Sequence, residues 1–251
     1  MSFHLGLGSY GRGDYVVQPP PVRTAEADAR ALAALAEAEG FTATALLGPA
    51  ASRDAIHRAF DEAATLGAGG ALVITMSGHG VQIPDTAPRT DRPRPPSAAN
   101  RVVGDEPDGL DEAWCLYDGF LVDDELGDLL LGLAAGVRVL IVSDTCHSGT
   151  MLPEPASDRG RRIRASVLHL AACTDAGCAF NGDHHGVFTG ALLALWQDGF
   201  AGSHLALRDA LAPRTHPLQR PVLTRTGAHD IAFLAERPFT RPRRRLPARS
   251  P

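Results

Sequence analysis

The chain has no lysine: all 24 of its basic residues are arginine, set against 29 aspartates and glutamates. With 26 glycines and abundant alanine, that usage reflects a GC-rich genome, a matter of codons rather than chemistry. Aromatic residues are scarce at 6 %, so a core must be built from alanine, leucine, valine and isoleucine. Four cysteines in 251 residues (Cys115, Cys146, Cys173 and Cys178) are too few for a disulfide framework. No stretch approaches the roughly 18 consecutive apolar residues of a membrane span. The first residues, Met1-Ser2-Phe3-His4-Leu5-Gly6, lack the basic region and apolar core of a signal peptide. The expectation is a protein of the cytoplasm, in a reducing compartment and without membrane contact.

Charge narrows the partners. The net charge of −5 speaks against nucleic-acid binding by the chain as a whole. Residues 237–251 hold six arginines and no acid, so removing that +6 leaves −11 for residues 1–236. Such an acidic body suits a cationic substrate better than DNA. The Pro/Arg-rich segment 237–251 reads as a disordered tail after a single domain over 1–236.

Within that domain, apolar runs alternate with helical patterns. Strands are expected at 4–9, 41–47, 71–76, 137–142 and 166–172, with an edge strand near 221–225. Helices are expected at 24–39, 52–66, 123–134 and 186–197, several closed by glycine. This alternation predicts an α/β fold: a mostly parallel central sheet of six strands or slightly more, with helices on both faces. Two segments break the pattern and read as long loops, 81–111 and 150–165.

Both loops begin where an apolar strand ends in an unusual polar motif. One is Ser77-Gly78-His79-Gly80, the other Asp144-Thr145-Cys146-His147-Ser148-Gly149. In parallel sheets, sites form at the carboxyl ends of strands. Period-two geometry puts Ser77 and His79 on one face, and likewise Asp144 and Cys146. Adjacent strands then bring His79 beside Cys146, and Ser77 beside Asp144. A thiol next to an imidazole is the minimum apparatus of cysteine nucleophilic catalysis, and the flanking glycines let backbone amides approach an oxyanion. Cys173 and Cys178 lack the second pair that a structural zinc site needs. His184-His185 reads as a solvated loop.

These two motifs resemble the catalytic motifs of the caspase-like cysteine peptidases (clan CD, peptidase C14), specifically the metacaspase branch and its bacterial members. Asp111-Glu112-Ala113-Trp114-Cys115-Leu116-Tyr117-Asp118, Asp123-Asp124-Glu125-Leu126, Ala171-Ala172-Cys173-Thr174-Asp175 and Gly186-Val187-Phe188-Thr189 are similar to further family segments. The resemblance implies Cys146 as nucleophile, His79 as base, and the amides of Gly80 and Cys146 as oxyanion hole. It implies an acidic pocket of Asp28, Ser77 and Asp144 that receives arginine or lysine of a protein substrate. Asp28 also reads as a helix-start charge favoured by the macrodipole. Calcium is implied as an accessory ion on Asp118, Asp123 and Asp124, although the fourth family position is Pro153 here; the chemistry itself requires no cofactor. Asp123 is equally suited to cap its helix. The resemblance further implies regulated proteolysis, such as bacterial defence or cell death. Activation is expected by a cut in the loop bearing Arg159, Arg161, Arg162 and Arg164, made by the protein itself or by an activating protease; a regulatory partner is the other expected contact. A catalytically idle binding domain, or a clan member of other specificity, is the alternative.

Overall fold

The computed structural model describes residues 1–13, 15–84, 109–152, 162–174 and 177–241. Along them the chain forms β1 (Ser2–Gly6), α1 (Ala25–Ala38), β2 (Ala43–Leu47), α2 (Arg53–Ala63), β3 (Ala71–Ser77), β4 (Gly80–Pro84), β5 (Leu110–Leu116), β6 (Gly119–Val122), α3 (Asp123–Leu131), β7 (Arg138–Asp144), β8 (Ser166–Ala171), α4 (Val187–Gln197), α5 (His204–Leu211), β9 (Val222–Gly227) and α6 (Ile231–Ala235). Six strands make one sheet in the order β2-β1-β3-β7-β8-β9. Every neighbouring pair is parallel except β8 with the edge strand β9. The mostly parallel sheet expected from the alternation is the one found.

Strand periodicity splits the core in two. Leu72, Ile74, Met76, Val139 and Ile141 face α2 and α3, while Val73, Leu140, Val142, Leu168 and Leu170 face α1, α4 and α5. Each face also carries a buried imidazole: His4 Nδ1 lies 2.9 Å from Thr75 Oγ1, and His169 Nε2 lies 2.6 Å from Ser143 Oγ. Burial pulls both histidines down to about 3, so both are neutral within the sheet. Gly40, at φ +86°, stops α1 in the left-handed conformation that glycine favours. At the start of α2, Ser52 Oγ accepts from the Ala55 amide at 3.2 Å.

Three expectations need correction. Residues 81–111, read as a loop, contribute β4 and the start of β5 to an antiparallel sheet β4-β5-β6. The charges of Asp111 and Glu112 hid that strand, yet both side chains are buried, at 1 % and 2 % exposure. Asp123 is the first helical residue of α3, and Val122 occupies the cap position. The start of the tail, 237–241, is packed. Arg237 lies over the Trp196 ring at 4.0 Å and pairs with Glu39 at 2.8 Å, and Phe239 is 2 % exposed. Residues 242–251 lie outside the described residues.

Candidate active site

Ser77 and Asp144 close β3 and β7 as register partners, so the chain leaves both strands at the same sheet edge. A Cβ on Gly80 would come within 2.0 Å of the Cys146 carbonyl oxygen, so glycine is what allows the two outgoing segments to touch. Two residues past the register pair stand His79 and Cys146.

His79 is anchored at both ends. Its backbone amide donates to the Tyr10 hydroxyl at 3.0 Å, and its Nε2 donates to the Pro20 carbonyl at 2.9 Å. A carbonyl only accepts, so in the neutral ring the proton sits on Nε2 and Nδ1 carries the lone pair. The Tyr10 ring packs against the imidazole, with centroids 5.7 Å apart. Cys146 is half-buried, and its Sγ accepts from the Ala179 amide at 3.2 Å. Burial pushes the Cys146 thiol above its ordinary pKa, and the Ala179 amide works in the opposite direction. Among the described residues no hydrogen bond joins His79 to Cys146. Strand geometry ends at Ser77 and Asp144, so the pleat brings the two segments together without aligning these side chains.

The pocket residues converge more tightly. Asp28, in the first turn of α1, is fully buried rather than a solvated helix-start charge. Its Oδ2 accepts from Ser77 Oγ at 2.8 Å, its Oδ1 from His185 Nδ1 at 2.7 Å, and both from the Gly186 amide at 3.1–3.2 Å. Asp144 Oδ2 accepts from the Thr189 hydroxyl at 2.7 Å and the Thr189 amide at 3.1 Å. Gly186 lies between the carboxylates: a Cβ there would be 2.2 Å from Asp144 Oδ2 and 3.2 Å from Asp28 Oδ2. Burial lifts Asp144 to about 7, with the charge of Asp28 adding to the rise and Thr189 opposing it. Burial also raises Asp28, against the bonds from Ser77, Gly186 and His185. Two carboxylates kept out of water this close together resist ionising at the same time, a cost that a proton or a cation between them would relieve.

Several site residues escaped the sequence reading. His185 is not a solvated loop residue but a partner of Asp28. Its position just before Gly186-Val187-Phe188-Thr189 is the signal that places it, and Thr189 belongs to that same segment. Tyr10, Pro20 and Ala179 carry no local pattern, because they act through a hydroxyl and ring face, a carbonyl and an amide. Among the described residues no group of three His, Cys, Asp or Glu is placed to hold an ion, and Pro153, the fourth position of the calcium expectation, lies outside them. Asp118 Oδ1 instead accepts from the Arg53 amide at 2.9 Å, at the start of α2. Arg162 and Arg164 are exposed, and Arg159 and Arg161 lie outside the described residues.

The family described as caspase domain, Peptidase C14, matches residues 11–230, which takes in both motifs, the pocket and every strand of the six-stranded sheet except β1. The chain belongs to that family. This caspase domain is similar to a protein of Geobacter sulfurreducens, GSU0716, whose crystal structure gives a TM-score of 0.77 at 35 % identity over 96 % of this chain and 98 % of the other. Caspase-1 of Spodoptera frugiperda shares the fold, with a TM-score of 0.56 at 13 % identity over 89 % of this chain and 85 % of that one. Among curated proteins, Metacaspase-1B of Aspergillus fumigatus is 30 % identical over 171 residues, 65 % of this chain and 36 % of the relative. Metacaspase-1 of Arabidopsis thaliana is 37 % identical over 93 residues, 35 % of this chain and 21 % of the relative. The chain thus spans about a third of the length of the fungal metacaspase or less of the plant one. No helix among the described residues is long and apolar enough to cross a membrane.

Proposed function

We propose that this caspase domain is a cysteine endopeptidase that cuts protein substrates after arginine, and after lysine less well. The observation that carries the reading is the convergence of Asp28 and Asp144 on Gly186, at the sheet edge from which His79 and Cys146 emerge. A guanidinium presents a planar fork of donors that spans two carboxylates, whereas an ammonium is a point charge that engages them less completely.

In this mechanism His79 Nδ1 takes the Cys146 proton, and the thiolate attacks the carbonyl carbon of the residue seated in the pocket. The amides of Gly80 and Cys146 receive the developing oxyanion. The imidazolium returns its proton to the leaving amine as the peptide bond breaks, leaving a thioester on Cys146. Water, deprotonated by His79, then hydrolyses that thioester and frees the thiol. The Pro20 carbonyl supports these steps by holding Nε2–H and stabilising the imidazolium. No step uses a cofactor, and none is routed through calcium.

Fluorogenic peptides ending in arginine, lysine or aspartate test the specificity. The expected order of kcat/KM is arginine, then lysine, with aspartate at background; turnover of the aspartate peptide alone overturns the acidic-pocket reading. The same preference turns on the chain itself. Incubated wild type is expected to cut within the loop bearing Arg159, Arg161, Arg162 and Arg164, and replacing all four by alanine should block the cut. Undiminished activity in an uncut quadruple variant would show that the loop is not an activation switch.

A further inference from the structure

Cys178 has no part in the chemistry above, yet it sits against the nucleophile. The segment carrying it clasps the Cys146 loop on both sides. The Gly177 carbonyl accepts from the His147 amide at 3.3 Å, and the Ala179 amide donates to Cys146 Sγ at 3.2 Å. Between these two contacts Cys178 is held alongside Cys146, one residue from each tie. A disulfide needs α-carbons within about 7 Å, and the two flanking hydrogen bonds tie the stretches that carry these cysteines side by side.

The remaining thiols are engaged elsewhere. Cys173 is buried, with its Sγ 3.3 Å from the Thr145 carbonyl, and Cys115 is buried in β5. Cys178 alone of the four is solvent-exposed. Burial disfavours the Cys146 thiolate, which leaves the exposed thiol to meet an oxidant first.

We propose that Cys178 is a site of oxidation by hydroperoxides, closed by Cys146 into a reversible disulfide that switches the nucleophile off. The Cys178 thiolate attacks one peroxide oxygen, the O–O bond breaks, and the departing alkoxide takes up a proton as an alcohol, or as water when the oxidant is hydrogen peroxide. The sulfur is left as a sulfenic acid. Cys146 then attacks that sulfur; the S–S bond forms, and the hydroxyl leaves with the Cys146 proton as water. Two thiols lose two electrons in all, and the peroxide gains them. A dithiol reverses the bond by exchange. The inference concerns the thiols alone and stands whichever peptide bond the domain cuts.

Intact-mass spectrometry and non-reducing peptide mapping after hydrogen peroxide treatment read the outcome without any activity assay. Wild type is expected to lose two hydrogens, to map to a Cys146–Cys178 linkage, and to recover both thiols in dithiothreitol. Cys178→Ser should lose that linkage altogether. Cys146→Ala, in which the partner is missing, should instead accumulate a dimedone-trappable sulfenic acid on Cys178. A linkage from Cys146 to Cys173, or a wild type that ends with sulfinic Cys146 beside a free Cys178, overturns the proposal. So does a Cys146→Ala protein in which Cys178 gives no dimedone adduct. If the disulfide forms in a protein that cleaves no peptide, the peptidase reading fails and this one survives; a peptidase without the disulfide separates them the other way.

Discussion

Cys146→Ala is expected to leave no measurable turnover of an arginine-ended peptide, and His79→Ala to cost nearly as much, on the order of 10⁴-fold or more in kcat. The expectation follows from the division of labour between the two side chains. Without Sγ there is no atom to form the thioester, and without Nδ1 the thiol is left protonated, because its burial already disfavours the thiolate. Because the two act as one unit, the double variant should be no slower than the worse of the singles. Both residues are only partly buried at the sheet edge, so each variant should melt with the wild type, which separates lost chemistry from a lost fold. Turnover that survives Cys146→Ala would place the nucleophile elsewhere. A wild type that binds the peptide and never cuts it would make this a binding module.

Asp144→Asn should separate activity from stability in opposite directions. Asparagine keeps an oxygen for the two Thr189 donors but removes the charge that faces a guanidinium. Breaking a buried ion pair costs about 3–5 kcal/mol, so kcat/KM for the arginine peptide should fall about 10²- to 4 × 10³-fold. The free fold should gain. Burial lifts Asp144 from the ordinary 3.8 to about 7, so its ionisation costs the native state stability as pH climbs across that window, and the neutral amide escapes the cost. Thermal melting above pH 7 checks this directly: Asp144→Asn should melt higher than wild type. The same titration predicts that wild-type kcat/KM for the arginine peptide rises with pH through about 7, because the free enzyme must ionise Asp144 to receive the cation. Once substrate is bound its charge favours the carboxylate, so kcat itself should depend on pH less steeply. An Asp144→Asn variant as active as wild type at pH 8 would assign arginine recognition to other groups.

The parallel sheet was legible because its strands are continuous apolar runs, and the site was legible because two such runs end in unusual polar residues. Both signals are local. Asp28 was ambiguous in sequence, since an acid in a helix's first turn has a sufficient local explanation; only the distant Ser77, His185 and Gly186 decide between the readings. The small antiparallel sheet was missed for a related reason. Its strand β5 begins with acids that look solvated and are in fact covered. Pro20 and Ala179 act through the backbone, which every residue has, so composition at those positions says nothing of their role.

The uncharged imidazoles on the two faces of the sheet set a floor under the range in which this protein stays folded. His4 and His169 ionise near 6.5 when exposed and near 3 in the fold, so their full contribution is present above about pH 6.5 and drains away as pH falls toward 3. Unfolding followed by circular dichroism should show an acid midpoint inside that window, and His169→Gln, which can still bond Ser143 without ever charging, should move the midpoint lower. Falling pH would then act on this domain twice over, first by protonating Asp144 at the sheet edge and afterwards by prying apart the strands beneath it.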